Sequence, residues 1–168
     1  MYSMKWPESA PMRGGLEAVI GAVSDVAERS FFAMVESCDG DRFAELTAAH
    51  RDWLSASVSF DEPGCAGMVT CHLPMLLAER LFDAFTGRDP DEPPADVAEV
   101  HDLVGEFANM ICGSWLTRAA NDRTFTLGRP EVRPSAEPVA GGLSLVVDEQ
   151  PCVVAVAFTR VPEAVTSR

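Results

Sequence analysis

The chain has 168 residues, 47% hydrophobic and 23% charged, enough for one domain with a sizeable core. Acidic side chains outnumber basic ones 26 to 13, for a formal net charge of −13 at pH 7. This balance lacks the basic footprint of a nucleic-acid binder and opposes an anionic membrane surface, so the charge reads as a solubility device. No apolar run approaches the ~20 residues of a membrane span, so no membrane insertion is expected. The opening "MYSMKWPESAPMRGG" has no apolar core of a secretory signal. Cys38, Cys65, Cys71, Cys112 and Cys152 are odd in number and never spaced C-x-x-C, which argues against a disulfide framework and a zinc ribbon. Reduced thiols in a cytoplasmic protein are the expectation.

Residues 1–14, rich in Pro, Ser and Gly, read as a flexible N-terminal arm. Residues 15–162 read as a single domain, and 163–168 as a C-terminal tail. From Leu16, the positions Val19, Val23, Val26/Ala27, Ser30/Phe31 and Met34 fall at helical spacing, predicting a first helix that stops near Gly40. "RFAELTAAHRD" is ambiguous between a short helix and a connector. Leu54, Ala56, Val58 and Phe60 then alternate with polar residues, "DEPG" supplies a turn, and alternation resumes through Met68 and Val69: a hairpin. "LPMLLAERLFDAFTG" predicts an amphipathic helix closed by Gly87, and "RDPDEPPAD" an acidic surface loop. Asp96 is the expected N-cap of a long helix, "VAEVHDLVGEFANMICGSWLTRAAN". "RTFTLGRPEV" predicts a strand entering a turn at Pro130, and "GGLSLVVDEQPCVVAVAFTRVP" a second strand–turn–strand unit.

The two hairpins resemble each other. "SVSFDEPGC" (57–65) and "SLVVDEQPC" (144–152) share Ser, Asp-Glu and Cys at a constant offset, and each follows a predicted helix. The expected fold is therefore α+β, built from duplicated helix–strand–strand halves.

On the long helix, Val97, Val100, Val104, Phe107/Ala108, Ile111 and Trp115 form one apolar face. Asp102, Glu106, Asn109 and Gly113 fall on a different stripe, separated by four, three and four residues. That stripe presents a carboxylate, an amide one turn away, and a bare patch open to close approach. An isolated Glu-x-x-Asn on a helix is ordinarily a solvated face, and the flanking residues give it more weight here.

"VHDLVGEFANMICGSWLTR", followed by "FTLGRPEV" and a late hairpin, resembles the CheC/CheX/FliY family of bacterial chemotaxis phosphatases. The shared signature is Glu106, Asn109, Met110, Ile111 and Gly113; the resemblance is densest over 96–135 and extends over 16–162. It implies an antiparallel sheet packed against long helices. It also implies hydrolysis of the aspartyl-phosphate of a CheY-like receiver domain. By that resemblance Asn109 orients the attacking water, Glu106 pairs with a receiver lysine, and Asp102 and Gly113 belong to the docking surface. A carboxamide suits this task, since it both donates and accepts hydrogen bonds without being a strong base. Magnesium is expected on the receiver, with no cofactor or metal bound by this chain; His50, His72 and His101 are dispersed in the sequence.

The first helix carries "ERSF" (28–31), with Phe31 where a second Glu-x-x-Asn motif would need Asn, so a single-site, CheX-like form is the better match. CheX-like proteins tend to be homodimers, and the second half lacks a counterpart to "LPMLLAERLFDAF", leaving a flank that a second copy could cover. The alternative reading is a non-catalytic adaptor of the same fold, docking a receiver or a flagellar-switch component. A thiol-dependent enzyme is a third reading, with Cys112 its only candidate nucleophile; lacking a partnered His, Cys112 reads as a small buried hydrophobe.

Overall fold

The computed structural model describes residues 12–89, 91–138 and 141–161. The 163–168 tail and most of the N-terminal arm lie outside the described residues. The last arm residues are tied down: Met12 is buried, and the Arg13 N–H donates to the Ala119 carbonyl at 2.7 Å.

Helix α1 (Gly15–Ser30) buries Val19, Ala22, Val23, Val26 and Ala27 at the expected spacing. It stops well before Gly40. The chain turns at Phe32, which adopts a left-handed backbone (φ 54), a conformation that costs a non-glycine residue ~1–2 kcal/mol. That turn leaves Phe31 fully buried and sends the chain into the short strand β1 (Val35–Glu36). Met34, which fits the helical spacing, is 68% exposed. Gly40 opens the next helix instead of ending the first. Helix α2 (Gly40–Ala48) is capped by the Asp39 carboxylate, which accepts from the Arg42 N–H at 2.8 Å.

The first hairpin is as expected. Strands β2 (Trp53–Glu62) and β3 (Cys65–Pro74) pair without a break from Trp53 opposite Pro74 to Glu62 opposite Cys65, with Pro63 and Gly64 at the turn. Helix α3 (Met75–Thr86) ends at Gly87. Helix α4 (Val97–Ala119) begins at Asp96, whose carboxylate accepts from the Ala98 N–H at 3.0 Å. The next segment is a broken edge strand. Strands β4 (Thr126–Leu127) and β5 (Glu131–Ser135) both pair with β2, and Gly128, Arg129 and Pro130 bow out between them. Strands β6 (Leu143–Val147) and β7 (Gln150–Arg160) form the second hairpin.

The seven strands among the described residues belong to one antiparallel sheet in the order β1-β6-β7-β3-β2, with β4 and β5 sharing the last edge. The order is that of a duplication. β3 and β7 meet at the centre, β2 and β6 flank them, and each edge strand pairs with the hairpin of the other half. The local sequence match is not the structural register, however. The first turn falls at Pro63–Gly64 and the second at Asp148–Glu149, two residues out of step with the shared Asp-Glu.

Helices α1 and α4 pack together over one sheet face, and most of the core lies between them and Leu54, Ala56, Val58, Phe60, Val69 and Leu73. Helix α2 contacts β6 and β7 on the other face, where Phe43, Trp53, His72 and Val153 are buried apart from that core.

Candidate functional site on helix α4

Helix α4 is enclosed on two sides, by α1 and by the sheet, and its remaining side reaches solvent. Val100, Val104, Phe107, Ala108, Ile111, Cys112 and Trp115 are all 2% exposed or less. Val97, read from the sequence as the start of this face, is 58% exposed in the first turn. The open stripe carries Asp102 and Glu106, both exposed, then Asn109 and Gly113, both half-buried. Successive steps of four, three and four residues keep them within about 60° around the helix axis at roughly 100° per residue. Among the described residues, Glu106 and Asn109 make no hydrogen bond or ion pair. The carboxamide of Asn109 therefore keeps both its donor and its acceptor for an outside group.

Two glycines on α4 serve opposite ends. A Cβ on Gly113 would meet nothing within 4 Å, so the chain's own packing does not require glycine there. A Cβ on Gly105 would lie 3.1 Å from Pro130 Cβ and 3.3 Å from Val132 Cγ2. The missing side chain at Gly105 lets the broken edge strand approach α4 closely. Between them runs an open groove of about 480 Å³, walled by Asp102, Gly105 and Glu106 on one side and Arg129, Pro130 and Val132 on the other. The Glu106 turn is thus a groove wall rather than an isolated patch. Sequence reading missed the second wall, although Pro130 after Gly128 signalled a break in the strand.

The remaining candidates are dispersed. His101 lines the groove, His50 stacks edge-on to Trp53, and His72 is buried on the far sheet face. Among the described residues, no three His, Cys, Asp or Glu side chains converge as a metal site. Cys112 is fully buried and burial pushes its thiol up to about 12, so it has no thiolate to offer as a nucleophile near neutral pH. All five cysteines are free. Glu28 is exposed on α1, whereas Phe31 is wholly inside, edge-to-face with Phe107 at 5.1 Å. No helix among the described residues is long and apolar enough to cross a membrane.

Residues 54–140, which carry β2 through β5 and the whole α4 stripe, match the family described as chemotaxis phosphatase CheX. The chain belongs to the CheX family. No curated protein matches it in sequence. Solved structures share its fold at low identity. The chemotaxis protein CheX from Vibrio vulnificus superposes with a TM-score of 0.63 at 15% identity, over 85% of this chain and 95% of that one. CheX in the CheX–CheY–BeF3–Mg2+ complex from Borrelia burgdorferi gives 0.56 at 16% identity, over 85% and 96%. FliY from Thermotoga maritima gives 0.54 at 14% identity, over 92% of each. The fold of this CheX-family chain is therefore that of the CheX, CheC-like and FliY proteins, as the α4 signature implied.

Proposed function

We propose that this CheX-family chain is a phosphatase for the aspartyl-phosphate of a CheY-like receiver domain. The observation that carries the reading is the Glu106–Asn109 pair, without a partner among the described residues, on an open stripe of α4 beside the bare patch at Gly113. Asn109 enters the receiver's site and holds a water in line with phosphorus. The water oxygen bonds to phosphorus as the bond to the aspartyl oxygen breaks, giving inorganic phosphate and a free carboxylate, with the water's proton passing to phosphate or solvent. Such a transfer needs positioning more than covalent help, which is what a carboxamide on a rigid helix supplies. Glu106 pairs with a receiver lysine and sets the docking register, with Asp102 and Gly113 alongside. The Mg2+ that neutralises phosphoryl charge belongs to the receiver. The CheX–CheY complex among the structural neighbours supports the choice of partner.

The test is the lifetime of a phosphorylated CheY-type receiver with wild type, with Asn109→Ala and with no addition. Wild type should shorten the lifetime, and Asn109→Ala should leave it near the unassisted value while still binding. Binding without any shortening by wild type would make the chain an adaptor. The variant should be as stable as wild type or up to ~0.5 kcal/mol more stable, since Ala outranks Asn in a helix. A lower melting temperature would instead show that Asn109 is structural.

A further inference from the structure

We propose that Arg129 is a specificity-determining docking residue, taking a carboxylate of the receiver domain while Glu106 on the facing wall takes a cation. The inference rests on the receiver-phosphatase reading and adds a second charge contact of opposite sign.

Arg129 is one of two described arginines that nothing in this acidic chain holds, and of the two only Arg129 lines the groove. Among the described residues, all but Arg51 and Arg129 are held by a carboxylate or, for Arg80, by the Asp148 carbonyl. The nearest acid in sequence on β5, Glu131, is committed to Arg133 at 2.8 Å. With acids outnumbering bases two to one, an arginine on a groove wall with no carboxylate holding it among the described residues is available to a group from outside the chain.

Its backbone is fixed from both sides. The Gly128 N–H donates to the Ser59 carbonyl at 2.8 Å, anchoring the bend to β2. Pro130 seats against α4 at Gly105. Arg129 stands on the crest of that bend and lines both the α4 groove and a second cavity of about 420 Å³ over Ser55, Ser57 and Ser59 on the outer sheet face. The groove therefore has an acidic wall, Asp102 and Glu106, facing a wall whose one charge is positive. A partner that enters must present a cation to α4 and an anion to the bend. Charge contacts of opposite sign on the two walls fix orientation more narrowly than the acidic wall alone. Complementary charge of this kind governs partner choice and association rate more than raw affinity. Guanidinium adds a planar fork that fits a carboxylate with two parallel hydrogen bonds.

The experiment compares Arg129→Glu with Arg133→Glu. Both sit beside the same bend, both lower the formal net charge from −13 to −15, and only Arg129 lines the groove. Binding is measured to a CheY-type receiver activated with beryllofluoride and Mg2+, at low and at moderate salt. The expected result is about a tenfold weaker affinity for Arg129→Glu, chiefly through slower association and shrinking with salt, against about twofold or less for Arg133→Glu. Equal weakening by both variants would reduce the effect to overall repulsion and overturn the assignment, as would no weakening by either. If wild type itself does not bind the receiver, the phosphatase reading fails and takes this inference with it. If wild type binds and Arg129→Glu binds equally well, the inference alone fails.

Discussion

Asn109 and Gly113 look like poor choices for the middle of a 23-residue helix, and the structure gives no internal reason for either. The Asn109 carboxamide bonds to nothing among the described residues, and Gly113 has open space where a side chain would go. Both residues cost helix stability that an alanine would restore. A Gly113→Ala variant should accordingly gain up to ~1 kcal/mol, read as a higher urea midpoint. The same methyl would stand on the docking stripe, so receiver dephosphorylation should slow while stability rises. An enzyme that becomes both more stable and equally active would remove Gly113 from the site. The paired gain and loss would mark a position retained for what approaches from outside.

Helix α2 is the element that periodicity left undecided. It spans nine residues, and Phe43 is its only buried side chain. The sheet face it packs against also holds a polar mismatch. His72 on β3 is 1% exposed, and neither its Nδ1 nor Thr47 Oγ1 on α2 has a hydrogen-bond partner among the described residues. Burial alone lowers the His72 pKa from its ordinary 6.5, because the charged imidazolium loses its water. With the folded value depressed, the unfolded chain binds more protons as pH falls below about 6.5, so stability is full above that pH and declines below it. His72→Leu removes the titrating group and the orphaned nitrogen together. Its melting temperature should fall less than that of wild type between about pH 7.5 and about pH 5.5. An equal fall in both proteins would place the acid sensitivity elsewhere. The early end of α1 is the matching lesson: helical spacing runs on to Met34, but the left-handed turn at Phe32 exists because Phe31 has a pocket to fill.

At the scale of the molecule, the two halves exchange edge strands, and each half keeps a long helix over the shared core. Only one of those helices presents a Glu-x-x-Asn stripe. The sequence counterpart of Asn109 is Phe31, just past the end of α1, whose ring centroid lies 5.2 Å from that of Phe85 and which packs edge-on to Phe107 at 5.1 Å. The first half has therefore spent that position on the core. Phe31→Asn would recreate the motif in sequence but not a site. Emptying a buried aromatic position costs ~3–5 kcal/mol, and burying an unpaired amide adds to it. Chemical denaturation should show a loss of at least ~3 kcal/mol. A loss below about 1 kcal/mol would mean the side chain escapes to the surface, and a second stripe could then be built there.

The sequence by itself determined the features that depend on neighbours along the chain. Alternation set the first hairpin, the strand–turn–strand pattern set the second, Asp96 set the start of α4, and the steps between Asp102, Glu106, Asn109 and Gly113 set the stripe, because helical and extended periods are local properties. The family likeness read from that helix was legible for the same reason. What only the tertiary structure decided depends on segments distant in sequence meeting. The end of α1 is dictated by Phe85 and Phe107, the fate of "RFAELTAAHRD" by the sheet face it covers, and the second wall of the groove by Pro130 reaching Gly105. Arg129 joins Glu106 only across that contact, and no periodicity along the chain encodes a meeting between a strand break and a helix face.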